Sequence, residues 1–328
     1  MPAKYAVGID LGGTNIKVAL VTTVGEIVSK LSAPTGAERG PDAVMDDMAR
    51  LAQEAIAGAR ASPTDVVGAG IGSPGPLTHR EGMIYKAANL PGFVNVRLAA
   101  GIAQRTGLRA VLDNDANAAA FGEFWNGAGR GCRDMVMLTL GTGVGSGVIV
   151  DGALVRGHFD NAGELGHMIV QPGGRLCGCG QHGCLEQYAS SAGVGRRVAD
   201  EVRAGASSSL EPMVRAGAVI GGSEVAAAAK SGDPLALRIW DEACYYLAIG
   251  CVNIQHAFNP AKVVLAGGMS KAGAFLVEAV KKHYMALRWK LLDDIPEIAI
   301  AELGNDAGVV GAAGIAWECE RRGLWRNW

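Results

Sequence analysis

The sequence predicts an α/β protein of two related domains, and three observations carry that expectation. Strand-like and helix-like segments alternate along the chain, as in sheets covered by helices. Its 328 residues exceed one compact layer of ordinary size and suit two domains. Residues 11–21 can also be laid on residues 140–150, each reading as a strand, a Gly/Thr turn and a second strand. No linker of distinctive composition marks a boundary. The repeat therefore places one domain at 1–120, completed by a C-terminal helix at about 305–328, and a larger one at 121–304.

Strands are expected at 5–9, 16–22 and 26–29. A helix follows at 41–59, where Val44, Met48, Leu51 and Ala55 recur at helical spacing and Pro41 suits a first turn. A strand at 66–72 runs into Ser73-Pro74-Gly75-Pro76, and one at 109–112 delivers Asp113-Asn114-Asp115 to a helix at 116–125. Further strands fall at 135–140, 144–150, 262–265 and 298–303, and further helices at 185–202, 223–229, 234–257, 272–287 and 309–321. The small, polar stretch 204–222 reads as a loop excursion.

Composition excludes several classes of function. With 49% hydrophobic and 19% charged residues the chain can bury a large core, which excludes a disordered protein. A net charge of −2 argues against nucleic acid or an anionic membrane as the main partner. The start, MPAKYAVGIDLGG, lacks the apolar region and cleavage site of a signal peptide. No apolar run approaches the roughly 18 residues that span a bilayer. The expected compartment is the cytoplasm, where the seven cysteines would be reduced. Cys132, Cys244, Cys251 and Cys319 are scattered in apolar contexts and read as ordinary. The 48 glycines point to many tight turns and close backbone approaches.

Two of those turns, Gly12-Gly13-Thr14 and Gly141-Thr142-Gly143, can present consecutive N–H groups as an anion nest, or can be plain hairpin turns. Their pairing, with Asp10 at the end of the first strand, favours phosphate and a divalent ion, and Gly267-Gly268 supplies a third turn. There is no Gly-Lys-Ser/Thr loop. Gly70-x-Gly72-x-x-Gly75 matches a dinucleotide pattern, but Pro74 interrupts it and no acidic residue follows at about 20 positions. Asp115, at a strand end and a helix start, is placed either to accept a proton from a hydroxyl or to cap its helix. Glu164 and Glu186 flank a glycine-rich stretch that holds His167, Cys177, Cys179 and Cys184. Several carboxylates and an Asn are what a polyhydroxylated substrate requires, since each carboxylate can bind neighbouring hydroxyls.

These motifs, in this order and over essentially the full length, resemble the ROK family of sugar kinases and repressors. They are DLGGTNIK (10–17), SPGP (73–76), Asn89 with Leu90-Pro91-Gly92-Phe93, LDNDANAAAFGE (112–123), LGTGVGSGVI (140–149), GELGHM (163–168), the Cys-x-Cys-x4-Cys run ending in Leu-Glu (177–186) and AGGMS (266–270). The resemblance implies an actin-like, ribonuclease-H-like duplicated fold with an interdomain cleft. It also implies ATP with catalytic Mg2+, and transfer to a hexose 6-hydroxyl. Glucose is the first expectation; N-acetylmannosamine, N-acetylglucosamine or fructose are alternatives. It further implies a homodimer or tetramer.

Carried onto this sequence, the resemblance makes Asp115 the general base and a sugar ligand, with Asn89, Asn114, Glu164, His167 and Glu186 as the other sugar readers. It makes Asp10, Gly12, Gly13, Thr14, Lys17, Gly141, Thr142, Gly143, Gly267 and Gly268 the nucleotide site. His167, Cys177, Cys179 and Cys184 become structural Zn2+ ligands, a set suited to a tetrahedral ion. A disulfide or redox pair is disfavoured, because the cytosol is reducing and Cys-x-x-Cys spacing is absent. Sugar-sensing repressors of the family carry a helix-turn-helix ahead of the kinase-like body, for which DLGGT at residue 10 leaves no room. Two consequences are expected: bulk at Gly143 blocks phosphate while sparing sugar, and loss of the metal spares the nucleotide turns.

Overall fold

The computed structural model describes residues 4–87 and 89–326. The chain opens with β1 (Tyr5–Leu11), β2 (Asn15–Thr22), β3 (Ile27–Pro34), α1 (Pro41–Gly58) and β4 (Val66–Ser73). Next come β5 (Leu77–Thr78), β6 (Met83–Lys86), β7 (Val94–Val96), α2 (Leu98–Thr106), β8 (Ala110–Asn114) and α3 (Asp115–Asn126). Then follow β9 (Met135–Leu140), β10 (Val144–Val150), β11 (Ala153–Leu154), α4 (Glu186–Ala189), α5 (Ser191–Arg203), α6 (Glu211–Arg215) and α7 (Gly222–Lys230). The chain ends with α8 (Pro234–Phe258), β12 (Lys262–Ala266), α9 (Ala274–Leu287), β13 (Glu297–Ile300) and α10 (Ala307–Arg322). Among the described residues no helix is long and apolar enough to cross a membrane.

The first sheet has the order β3-β2-β1-β4-β8. β1 and β2 form an antiparallel hairpin closed at Leu11↔Ile16, while β1, β4 and β8 run parallel. β4 is buried along its whole length, as a parallel strand covered on both faces must be. One face of the sheet, chiefly over β2 and β3, packs on Val44, Met48, Leu51 and Ala55 of α1, the residues whose spacing predicts that helix. The other face lies under α10, whose backbone comes so close that side chains would not fit between. A Cβ on Gly8 would strike the Val309 carbonyl, one on Gly70 the Ala312 carbonyl, and one on Gly311 the Ala118 carbonyl of α3.

The second sheet, β11-β10-β9-β12-β13, repeats that order element for element. β9, β12 and β13 are again parallel, with Thr139↔Ala266 and Leu265↔Ile300 in register. The repeat of 11–21 in 140–150 is therefore the first hairpin of each sheet, and the duplicated actin-like architecture follows from it. Two compact units result: residues 1–132, 147–163 and 302–328, and residues 133–146 with 164–301. A cut at 120/121 would fall inside α3, and the chain passes from the second unit back to the first within β10. The expected domain limits at residues 1–3 and 327–328 lie outside the described residues.

Four local expectations change. The helix expected at 185–202 is two, because Ser190 is extended (φ −79°, ψ 155°) and its Oγ caps α5 by accepting the Gly193 N–H at 2.9 Å. The stretch 204–222 contains α6. The last strand stops at Ile300, and the N–H groups of Glu302 and Leu303 go to the Glu123 carboxylate at 3.0 and 2.7 Å. The small sheet β5-β6-β7 and helix α2 have no counterpart in the periodicity, since strands of two to four residues are too short to show alternation.

The contact of α10 with β4 gives a direct expectation. Gly70→Val puts side-chain atoms against the Ala312 carbonyl and should destabilise folding by about 3 kcal/mol, the upper end of ordinary overpacking. Urea unfolding measures it, and an unchanged midpoint would contradict the close packing.

Candidate functional site

The first unit gathers one group of the expected residues. β1 carries half-buried Asp10, whose Oδ2 pairs with Lys17 Nζ at 3.3 Å; Lys17 also donates to the Asn305 carbonyl at 3.3 Å. The turn that follows is tight, with Gly12 N–H donating to Asn15 O at 3.0 Å. Buried Thr35, unmarked in the sequence reading, braces it: its Oγ1 donates to Gly12 O at 2.7 Å, and its N–H to Thr14 O at 2.9 Å. The backbone and Cβ of Asn89 sit against Gly13, where a Cβ would meet Asn89 Cβ at 3.0 Å. Asn89 is therefore beside the first glycine turn.

At the β8–α3 junction the helix cap is Asn114, not Asp115. Asn114 Oδ1 accepts from Ala116 N–H at 2.8 Å and Asn117 N–H at 3.3 Å. That fixes the amide so that its NH2 end faces away from the helix as a donor. Asp115 occupies the first helical position and is exposed, with Oδ1 accepting the Ala116 N–H at 2.8 Å.

Beneath them lies Asp113, the last buried residue of β8 and not among the expected site residues. Its Oδ2 accepts from Arg156 Nε at 2.7 Å, and its Oδ1 from Asn114 N–H and Asn117 Nδ2, both at 2.9 Å. Burial alone would raise its pKa; the Arg156 guanidinium leads the opposing effects and holds the carboxyl below its ordinary value. The junction carrying Asn114 and Asp115 thus rests on a buried ion pair.

The second unit gathers the rest. The Gly141–Gly143 turn is closed by Gly141 N–H donating to Gly143 O at 3.0 Å. Gly267 (φ +83°) comes against Leu140, where a Cβ would lie 2.7 Å from that residue's backbone, so the second and third glycine turns are neighbours. Glu164 is exposed at the start of a short 3-10 turn, Leu165–His167, and its carbonyl accepts the His167 N–H at 3.0 Å. Leu165 N–H is held by buried Ser146 Oγ at 2.9 Å.

Glu186 corrects the expectation for Gly143. Its Oε2 accepts the Val144 N–H at 3.1 Å and fills the space that a side chain on Gly143 would need. Bulk at Gly143 therefore displaces a candidate sugar ligand as well as crowding the turn, so the two effects are not separable there. At Gly141 nothing lies within 4 Å of an added Cβ, which makes it the cleaner position.

His167, Cys177, Cys179 and Cys184 place one ligand atom each within 4.8 Å of one another. His167 Nδ1 is 3.6 Å from Cys177 Sγ, and the Cys179 and Cys184 sulfurs are 3.7 Å apart. A tetrahedral ion with bonds of about 2.3 Å to sulfur separates its ligands by about 3.8 Å, so the residues present fit Zn2+. The distance is far beyond a disulfide bond of about 2.05 Å, and all seven cysteines are free. Burial pushes the Cys184 thiol up to about 12 while the Gln181 backbone N–H lowers Cys179, so thiolates here are uneven without a cation.

The chain is similar to known proteins over nearly its whole length. The sequence pattern of the ROK family matches residues 6–318. A glucokinase of Halalkalibacterium halodurans is 40% identical over 95% of this chain and 94% of its own. Among solved structures, the ROK hexokinase of Thermus thermophilus superposes with a TM-score of 0.83 at 33% identity, covering 97% of this chain and 99% of its own. A ROK family glucokinase from Streptomyces griseus, in complex with glucose and AMPPNP, gives 0.77 at 32% identity over 96% and 99%. With the motifs, the duplicated sheets and these matches in hand, the chain belongs to the ROK family.

Proposed function

We propose that this protein is an ATP-dependent sugar kinase that phosphorylates a hexose at its 6-hydroxyl, with glucose as the substrate. The observation that carries this reading is Asp115 at the first position of α3, beside an Asn114 whose side chain is fixed by capping. The pair offers one proton acceptor and one oriented donor to a sugar hydroxyl and its neighbour. Likeness to glucokinases, one of them holding glucose and AMPPNP, supports both the sugar and the nucleotide.

In this reading Asp115 accepts the proton of the attacking hydroxyl, and Asn89, Asn114, Glu164, His167 and Glu186 hold the rest of the ring. The Gly12–Thr14 and Gly141–Gly143 turns receive phosphate oxygens on backbone N–H groups, and Gly267-Gly268 lies where adenosine would rest. Mg2+, when bound with ATP, neutralises triphosphate charge; Asp10 and Lys17 are the charged side chains of the first turn. His167, Cys177, Cys179 and Cys184 would hold Zn2+, with His167 tied through Nδ1 so that Nε2 is left for a sugar hydroxyl. Four protein ligands close such a site, so it is structural. We further assign the protein to cytoplasmic carbohydrate metabolism as a homodimer.

A coupled ATP assay across glucose, mannose, fructose and their N-acetyl derivatives tests the substrate, with the highest kcat/KM expected for glucose. In the same assay Asp115→Asn should lower kcat by about 100-fold, the scale of a lost general base, with sugar affinity nearly unchanged. Turnover near that of the wild type would remove Asp115 from the chemistry. Cys179→Ser should lose zinc, measured by elemental analysis, and raise the glucose KM about 10-fold or more, as losses around a metal site do. A zinc-free variant with an unchanged KM would separate the metal from the sugar site.

A further inference from the structure

The residues that follow the cysteine cluster grip both ends of the Gly141–Gly143 turn. Ser191, at the start of α5, donates its N–H to Gly141 O at 2.8 Å. Glu186 Oε2 accepts from Val144 N–H at 3.1 Å, and Val144 is buried. The Glu186 side chain is itself held: Oε1 lies 3.5 Å from Cys177 Sγ and from Gln187 Nε2. On the other side, Gly166 packs so tightly on the Val144 carbonyl that a Cβ there would strike it. Leu185 N–H donates to Met168 O at 2.9 Å, tying the segment after Cys184 to the segment after His167. Every one of these residues lies within eight positions of a cluster residue in sequence or bonds directly to one that does.

We infer that Glu186 is a positioning residue for the Gly141–Gly143 turn, so that one carboxylate serves sugar recognition and also sets the affinity for the nucleotide triphosphate. The inference rests on the reading of that turn as a phosphate site. An anion nest works only while its N–H groups converge. Removal of Glu186 leaves the buried Val144 N–H without its acceptor, and a turn of two glycines rearranges readily to satisfy it. This reverses the expectation that the nucleotide turns are independent of the cysteine segment: the second turn is fastened to it by Glu186 and Ser191.

The test is calorimetric titration of AMPPNP with Mg2+, in the absence of sugar, so that turnover plays no part. Glu186→Ala should bind the analogue at least about 10-fold more weakly, a typical consequence of a lost hydrogen bond to a buried group. Glu186→Gln keeps an oxygen that can accept the Val144 N–H and should stay within about 3-fold of the wild type. AMP, which lacks the outer phosphates, should bind all three alike. Glu186→Asp, one methylene too short to reach, should follow the Ala variant and serves if that variant does not fold. Gly141→Val, at a position with open space, separates the premises. If it weakens AMPPNP while Glu186→Ala and Glu186→Asp do not, the inference is overturned and the phosphate reading stands. If Gly141→Val leaves AMPPNP affinity unchanged, the phosphate reading fails and takes the inference with it. Equal weakening of AMP and AMPPNP in Glu186→Ala would also overturn it, as a general loss of structure.

Discussion

The hydrogen bond from Val144 N–H to Glu186 Oε2 joins the glycine turn of the second unit to its cysteine segment. Val144 ends a glycine turn suited to phosphate, Glu186 follows directly on the cysteine segment, and its remaining oxygen faces Cys177. The carboxylate so held occupies the space that a side chain at residue 143 would need. It also gives the cysteine cluster a purpose beyond local stability. A loop as rich in glycine as 166–184 has a high entropic cost of ordering, and an ion held by His167, Cys177, Cys179 and Cys184 would offset that cost by restricting the loop. Order imposed in that way would pass to the turn through the Glu186–Val144 bond.

The first unit is ordered by packing and capping. There the rigid element is the α10–sheet contact, where glycines at Gly8, Gly70 and Gly311 allow backbone to meet backbone. The Asp113–Arg156 pair then fixes the end of β8, and Asn114 caps α3. An isolated buried pair is weak support for stability in general. Here its value lies in geometry, because Asp113 Oδ1 holds both the Asn114 N–H and the Asn117 amide on either side of Asp115.

Much of this was legible in the sequence. The hairpin repeat predicted two related domains, and β9 and β10 begin and end where the pattern placed them. The Cys-x-Cys-x4-Cys spacing with His167 predicted a cluster that the fold brings together. What stayed hidden depends on contacts between residues distant in sequence. Thr35 looks like any residue at a strand end until it meets Gly12, and Glu123 like any helical glutamate until it collects the N–H groups of residues 302 and 303. The break at Ser190 was missed because apolar spacing continues across it; only the serine's capping capacity marked it. Gly143 was read as backbone access for phosphate, and nothing local reveals that residue 186 fills the same space.

The Val144 amide is the reporter of this linkage. Amide hydrogen exchange across residues 141–144, followed by mass spectrometry or NMR on the free protein, tests it most directly. Protection should be strong in the wild type, and exchange at Val144 should accelerate at least about 10-fold both in Glu186→Ala and after zinc is stripped by a chelator. Unchanged protection of Val144 in both cases, while the cysteine segment itself becomes labile, would contradict the claim that the cluster orders the nucleotide turn.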